Sequence, residues 1–298
     1  MADDRFRWGG RPLTLADLDA VAADLKRKAQ PGTPKFNFTI NAVIIRYFLG
    51  DAWFSKHALP NSNPESFLKP DFLTDRADEV EPNYSIRMLQ LAELLFNLQD
   101  VRGFAKRLDH LLLGQLEPGL AELQIGRVLR ERGVPFRYVE DGEPTTVDII
   151  FRTPDGSEAL CEIKCKRETT PFSAQTLRNA ISVATGQIGK GNAGIVFIKV
   201  PTAWVDVQQS DPRTRPDIRL PSAIIAAAKN ELRQASRIKK LIFYVFQYAY
   251  EAEWGFSLTN TTMEFNNPKN TAFWKGDLLA AYPGGTWSEL PEIAKRWA

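Results

Sequence analysis

Two runs of β-forming residues, Thr146 to Phe151 and Glu158 to Lys166, flank the sequence Thr153-Pro154-Asp155-Gly156. No other stretch constrains the fold of this chain as tightly. Proline presets the backbone angle that starts a turn, and glycine accepts the positive φ that closes it, so the segment reads as a β-hairpin. With the fold axis near Asp155, Asp148 and Glu162 lie at equal distance on opposite arms. Such cross-strand neighbours have Cβ atoms roughly 4.5–5.5 Å apart. Side chains two apart share a face of a strand, so Glu162 and Lys164 point together, and Cys161, Ile163 and Cys165 point the other way. Two carboxylates and a lysine then converge on one face, backed by an apolar one. Carboxylates that close repel unless a cation lies between them. Mg²⁺, or Mn²⁺ in its place, suits the position, because a hard divalent ion needs only one or two carboxylates plus water and phosphate oxygens.

The elements around the hairpin extend this pattern. Leu120 to Gly133 reads as a helix closed by glycine, Pro171 to Gly186 as a second helix, and Gly194 to Val200 as a continuous apolar strand of a buried sheet. This order, with Asp148 and Glu162-Ile163-Lys164, resembles the PD-(D/E)XK nuclease superfamily. The likeness covers Leu116 to Pro201, with Val147 standing where the family motif has proline. It implies an α/β, restriction-endonuclease-like core: a mixed central sheet flanked by helices, with an N-terminal helical region. The implied activity is Mg²⁺-dependent hydrolysis of phosphodiester bonds, in DNA in preference to RNA. Asp148, Glu162 and the Ile163 carbonyl would hold the metal, and Lys164 would stand beside the attacking water. The family often carries a glutamate on its first core helix; Glu122 matches best, with Glu117 as the fallback. Gln187 matches a glutamine that some members place on the helix after the Glu-x-Lys strand. A catalytically inactive module of the same fold, binding nucleic acid or a protein, is the alternative function, and a coincidental motif in a structural protein is a third.

Composition limits other chemistries. The chain has 298 residues, 44% hydrophobic and 25% charged, which suits one large globular domain or two modest ones. Its two cysteines read as small buried hydrophobes, and with only two histidines no zinc centre is expected. Gly186 to Gly191 superficially suggests a phosphate loop, but Ala184 stands at the first glycine position and Gly191 at the required Ser/Thr, so no nucleotide cofactor is expected. No leader-like run opens the sequence and no apolar run is long enough to span a membrane, so the expected compartment is the cytoplasm.

Residues 1–115 read as a helical region, with helices from Thr14 to about Ala29, Asn41 to Leu49, Ser85 to Gln99 and Arg102 to Leu113; residues 116–298 hold the nuclease-like domain. Pro31-Gly32-Thr33-Pro34 interrupts the first pair, and His57 to Pro82 shows no periodicity. Ser222 to Ile238 reads as a helix with Lys229, Arg233 and Arg237 every four residues, Leu241 to Phe246 as a core strand and Phe256 to Phe265 as an edge strand. The net charge is only +2, but residues 71–100 hold seven acids against two bases and residues 211–240 eight bases against three acids. A basic stripe on a near-neutral chain suits a polyanion. Lys166, Arg167, Lys190, Lys229, Arg233 and Arg237 are the candidate nucleic-acid contacts, with Arg178, Lys239 and Lys240 in the wider set. A homo-oligomer remains open.

Overall fold

The computed structural model describes residues 10–31, 33–58, 80–143, 146–166, 170–189, 192, 194–208, 217–251, 255–269 and 278–297. Arg167, Lys190, Trp274 and most of the aperiodic stretch after His57 lie outside the described residues.

The described residues of the N-terminal third are mainly helical. Helix α1 (Leu15–Leu25) starts at Thr14, whose hydroxyl accepts the Asp17 N–H at 3.2 Å while Asp17 accepts the Thr14 N–H at 2.9 Å. That reciprocal cap satisfies donors a helix start leaves open. Helix α2 (Pro34–His57) starts earlier than its apolar periodicity suggests, because Pro34 sits in the first turn behind a Thr33 cap. Its expected end at Leu49 survives as a kink, where Gly50 takes φ 82°. Helices α3 (Val80–Leu98) and α4 (Phe104–Leu112) follow, and α5 (Leu116–Glu131) packs against both.

The rest is an α/β layer built on a mixed six-stranded sheet. The strands are β1 (Phe136–Tyr138), β2 (Ile149–Arg152), β3 (Glu158–Cys165), β4 (Gly194–Lys199), β7 (Ile238–Glu251) and β8 (Gly255–Asn266), in that spatial order. Strand β3 is antiparallel to β2 and parallel to β4, β4 is parallel to β7, and β8 closes the sheet antiparallel to β7. A separate small hairpin pairs β5 (Asp206–Gln208) with β6 (Asp217–Arg219). The turn between β2 and β3 is the expected one: the Gly156 N–H bonds Thr153 O at 2.8 Å, and Gly156 takes φ 84°.

Alternation along the strands makes two cores. Ile149, Phe151, Cys161, Ile163, Phe197 and Tyr244 face α5 and the helices behind it. Ile150, Val196, Ile198, Leu241 and Phe243 face α6 (Ala174–Ile188) and α7 (Ser222–Gln234). Both cysteines are free, Cys161 buried and Cys165 half-buried against the first core. After helix α8 (Leu290–Lys295), Trp297 returns to that core, packs on Phe36 with ring centroids 5.9 Å apart, and donates to Asp19 at 2.7 Å. No helix among the described residues is long and apolar enough to cross a membrane.

Three readings are corrected. Helix α7 stops at Gln234, not Ile238, because the Asn267 amide collects the carbonyls of Leu232, Ala235 and Ile238 and ends the helix there. Arg237 is therefore off the helix, and its guanidinium donates to Thr185 O at 3.1 Å near the end of α6. Lys240 is not a surface cation. A bulge in the β4–β7 register sets Lys240 opposite Ile195, and its amine is fully buried on Glu264 at 2.9 Å.

Helix α5 approaches β1 closely at Gly126. A Cβ there would overlap the hydroxyl of the fully buried Tyr138 and lie 3.2 Å from Leu98 Cδ1. Gly126→Ala should lose about 1–2 kcal/mol in urea unfolding, because overpacking of about 1–3 kcal/mol outweighs the ~1 kcal/mol helix preference for alanine. A more stable variant would show that Tyr138 can retreat.

Candidate functional site

The site forms where β2 and β3 part. The hairpin register pairs Ile149 with Cys161, so the next step outward sets Asp148 opposite Glu162. At that step the Ile163 N–H goes to Asp148 Oδ2 at 2.8 Å, a side chain standing where a continuing ladder would use a backbone carbonyl. Glu162 and Lys164 share a face as their spacing requires, and the Lys164 amine donates to Glu162 Oε1 at 2.7 Å. The same amine donates to Gln187 Oε1 at 2.6 Å, which brings the last turn of α6 into the site.

Helix α5 delivers Glu122 from the opposite side. Its carboxylate is buried, and its charge acts on both Asp148 and Glu162. Glu117, nearly a turn and a half earlier, turns elsewhere. Burial would raise its pKa, but Lys199 at 3.1 Å and Arg87 at 3.0 Å override that and hold it down to about 2.

Two residues of α4 complete the cluster. Arg107 pairs through Nη1 with Glu122 Oε2, lies 3.9 Å from Asp148 Oδ1, and donates through Nη2 to Val139 O at 3.2 Å. His110 Nδ1 lies 3.3 Å from Glu122 Oε1. Neither was among the sequence candidates. For Arg107 a signal existed: it falls on the apolar stripe of Phe104, Leu108 and Leu111. A charge on a core stripe demands a buried partner.

Three carboxylates thus face two basic side chains, Arg107 and Lys164. Burial pushes the Asp148 carboxyl well above its ordinary range, and the charges of Glu122 and Glu162 push it further, against the Ile163 N–H and Arg107. Burial also raises Glu162, resisted by the bond and charge of Lys164. Glu162 Oε2 is buried without a hydrogen-bond partner. A desolvated carboxylate oxygen in that state is costly, and a hard cation between it and Asp148 would satisfy both. Among the described residues, no three His, Cys, Asp or Glu side chains form a metal-holding group. The set that could hold an ion is therefore the sparse one of Asp148, Glu162 and a backbone carbonyl such as that of Ile163. Mg²⁺ characteristically accepts such a set, keeping waters in its other positions.

The basic residues are less concentrated. Lys166 follows β3 directly, and its pKa is lowered, first by burial and then by Lys164. Lys229 and Arg233 are exposed on α7, and the partly exposed Arg178 pairs with Glu231 at 3.1 Å. Lys239 donates to Ser236 O at 3.0 Å.

Comparison with protein-family models, with curated proteins and with solved structures finds no match to this chain.

A carboxyl that binds its proton more tightly in the folded than in the unfolded chain makes stability fall as pH rises from its ordinary value through its raised one. For Asp148 that fall begins near 3.8 and runs upward. Asp148→Asn should therefore raise the melting temperature of the protein in EDTA at pH 7, with the gain shrinking as pH approaches 4. A variant that melts lower than wild type across that range would mean that the Asp148 charge is not repelled there.

Proposed function

We propose that this chain is a Mg²⁺-dependent nuclease with a restriction-endonuclease-like core, acting on DNA. One observation carries the reading: Glu162 Oε2 is buried and unpartnered beside Asp148, with the Lys164 amine on the same carboxylate. Asp148, Glu162 and the Ile163 carbonyl would hold the ion. When bound, Mg²⁺ would neutralise charge on a phosphate and lower the pKa of a water.

The chain's own groups do the rest. The Ile163 N–H fixes the Asp148 carboxylate at Oδ2, and Arg107 lies 3.9 Å from its Oδ1. Gln187 holds the Lys164 amine through its side-chain oxygen, so the ammonium has few orientations to lose when a phosphate arrives. Lys164 can then donate a proton in a hydrogen bond to a phosphate oxygen as negative charge builds there. Lys229 and Arg233, on the exposed side of α7, supply contacts to backbone phosphates, which give affinity without sequence choice.

A second reading, a module of this fold that binds nucleic acid or a protein without cutting, is favoured by Arg107, which already places a cation among the carboxylates. Nicking of supercoiled plasmid in Mg²⁺, Mn²⁺ or EDTA separates the two. Cleavage should require a divalent ion, and Asp148→Ala or Lys164→Ala should each lower its rate by about 10²–10⁴-fold. No cleavage by the wild type in either metal, with DNA still bound, selects the second reading. Undiminished cleavage by Lys164→Ala removes the role given to that amine.

DNA affinity tests the surface separately. Replacing Lys229 and Arg233 with alanine should flatten the plot of log affinity against log salt by about 0.9 per lost phosphate contact, near 2 in all. Arg237→Ala should change that slope less, because its guanidinium is turned to Thr185 O, off the exposed row of α7. An unaltered slope in the double variant would take α7 off the DNA surface.

A further inference from the structure

Resting on the metal-site reading above, we infer that Arg107 is a positioning residue that limits the site to a single divalent ion. Glu122 is the residue that could make a second ion site, because its carboxylate lies among the other two. Arg107 is in the way. Its side chain is only 2% exposed, so it touches neither solvent nor substrate. It is fixed in three directions. Its guanidinium lies over the Tyr138 ring at 5.5 Å, Nη2 donates to Val139 O at 3.2 Å, and Nη1 binds Glu122 Oε2.

The same Nη1 lies 3.9 Å from Asp148 Oδ1, so the space between Glu122 and Asp148 holds a permanent positive charge. A metal ion placed there would lose Glu122 Oε2 as a ligand and meet the guanidinium at close range. The other oxygen of Glu122 faces His110 Nδ1 at 3.3 Å. On the far side of Asp148 the situation is reversed. Glu162 Oε2 has no partner, and the cation bound to Glu162, Lys164, is held on the other oxygen. Sequence alone separates the roles of the two glutamates poorly, since both are buried carboxylates near Asp148; the partner on each oxygen distinguishes them. Glu122 serves to hold Arg107, and Arg107 stands where a second ion would otherwise be drawn.

Mn²⁺ alone is the probe, with bound ions counted from the loss of the free Mn²⁺ paramagnetic resonance signal in the full chain. The wild type should bind one ion and folded Arg107→Met two, because Glu122 is then released to the pocket. Removing one member of a buried ion pair strands the other and can unfold the chain, whereas removing both is far better tolerated. The double variant Arg107→Met/Glu122→Gln therefore accompanies it and should again bind one ion. Two ions on the wild type, or one on folded Arg107→Met, would overturn the assignment while leaving the metal site standing. A double variant that binds none would make Glu122 a ligand and overturn it as well. No ion on the wild type would remove the metal-site reading itself.

Discussion

Negative charge held out of water is the constraint around which this chain is arranged. Asp148, Glu162 and Glu122 come from a strand end, a central strand and a helix, and each is wholly or largely buried. Charges in that state demand partners. The partners come from three further places: Lys164 from the same strand as Glu162, the Ile163 N–H from the strand backbone, and Arg107 from a helix outside the sheet layer. Removing any one would leave a carboxylate uncompensated, so the geometry of the hairpin, α5 and α4 is fixed jointly.

The same principle recurs away from the site. Glu93 on α3 is buried, which drives its pKa up to about 7 despite the Arg127 charge at 3.0 Å, and its other oxygen caps α8 at the Leu290 N–H. Arg127 in turn lies over the Trp287 ring at 4.8 Å. The C-terminal segment is thereby tied to α3 and α5 by polar bonds as well as by its apolar side chains. Asn97 adds two more, donating to Ser288 O and accepting the Ser288 N–H. Polar pairs of this kind set register where apolar packing alone would tolerate sliding.

What could be read from the sequence was what local spacing determines. The hairpin register followed from its turn, because alternation has a period of two and a tight turn fixes the count. The facing of Glu162 with Lys164 followed from the same periodicity, whereas Gln187 on α6 was expected only from the family resemblance. What could not be read depends on residues far apart in the chain. Arg107 meets Glu122 only because α4 and α5 pack together across a short turn, and the side chain that ends α7, Asn267, comes from beyond β8. Lys240 and Arg237 looked alike as surface bases, yet a one-residue bulge buries the first and a helix terminus engages the second. Strand β1, three residues long, is too short to carry a periodic signal.

Trp297 adds a consequence for the order in which the molecule is made. Its bond to Asp19 spans 278 residues, and its ring covers Phe36 on α2. At synthesis rates of roughly 5–20 residues per second, the cover arrives some 15–60 s after the first helices leave the ribosome. Contacts this distant are closed late, since the loop entropy has to be met before they return any energy. The apolar side of the helical layer therefore lacks this seal until Trp297 has been made, and the nascent chain depends on α3 and α5 to shield it until then.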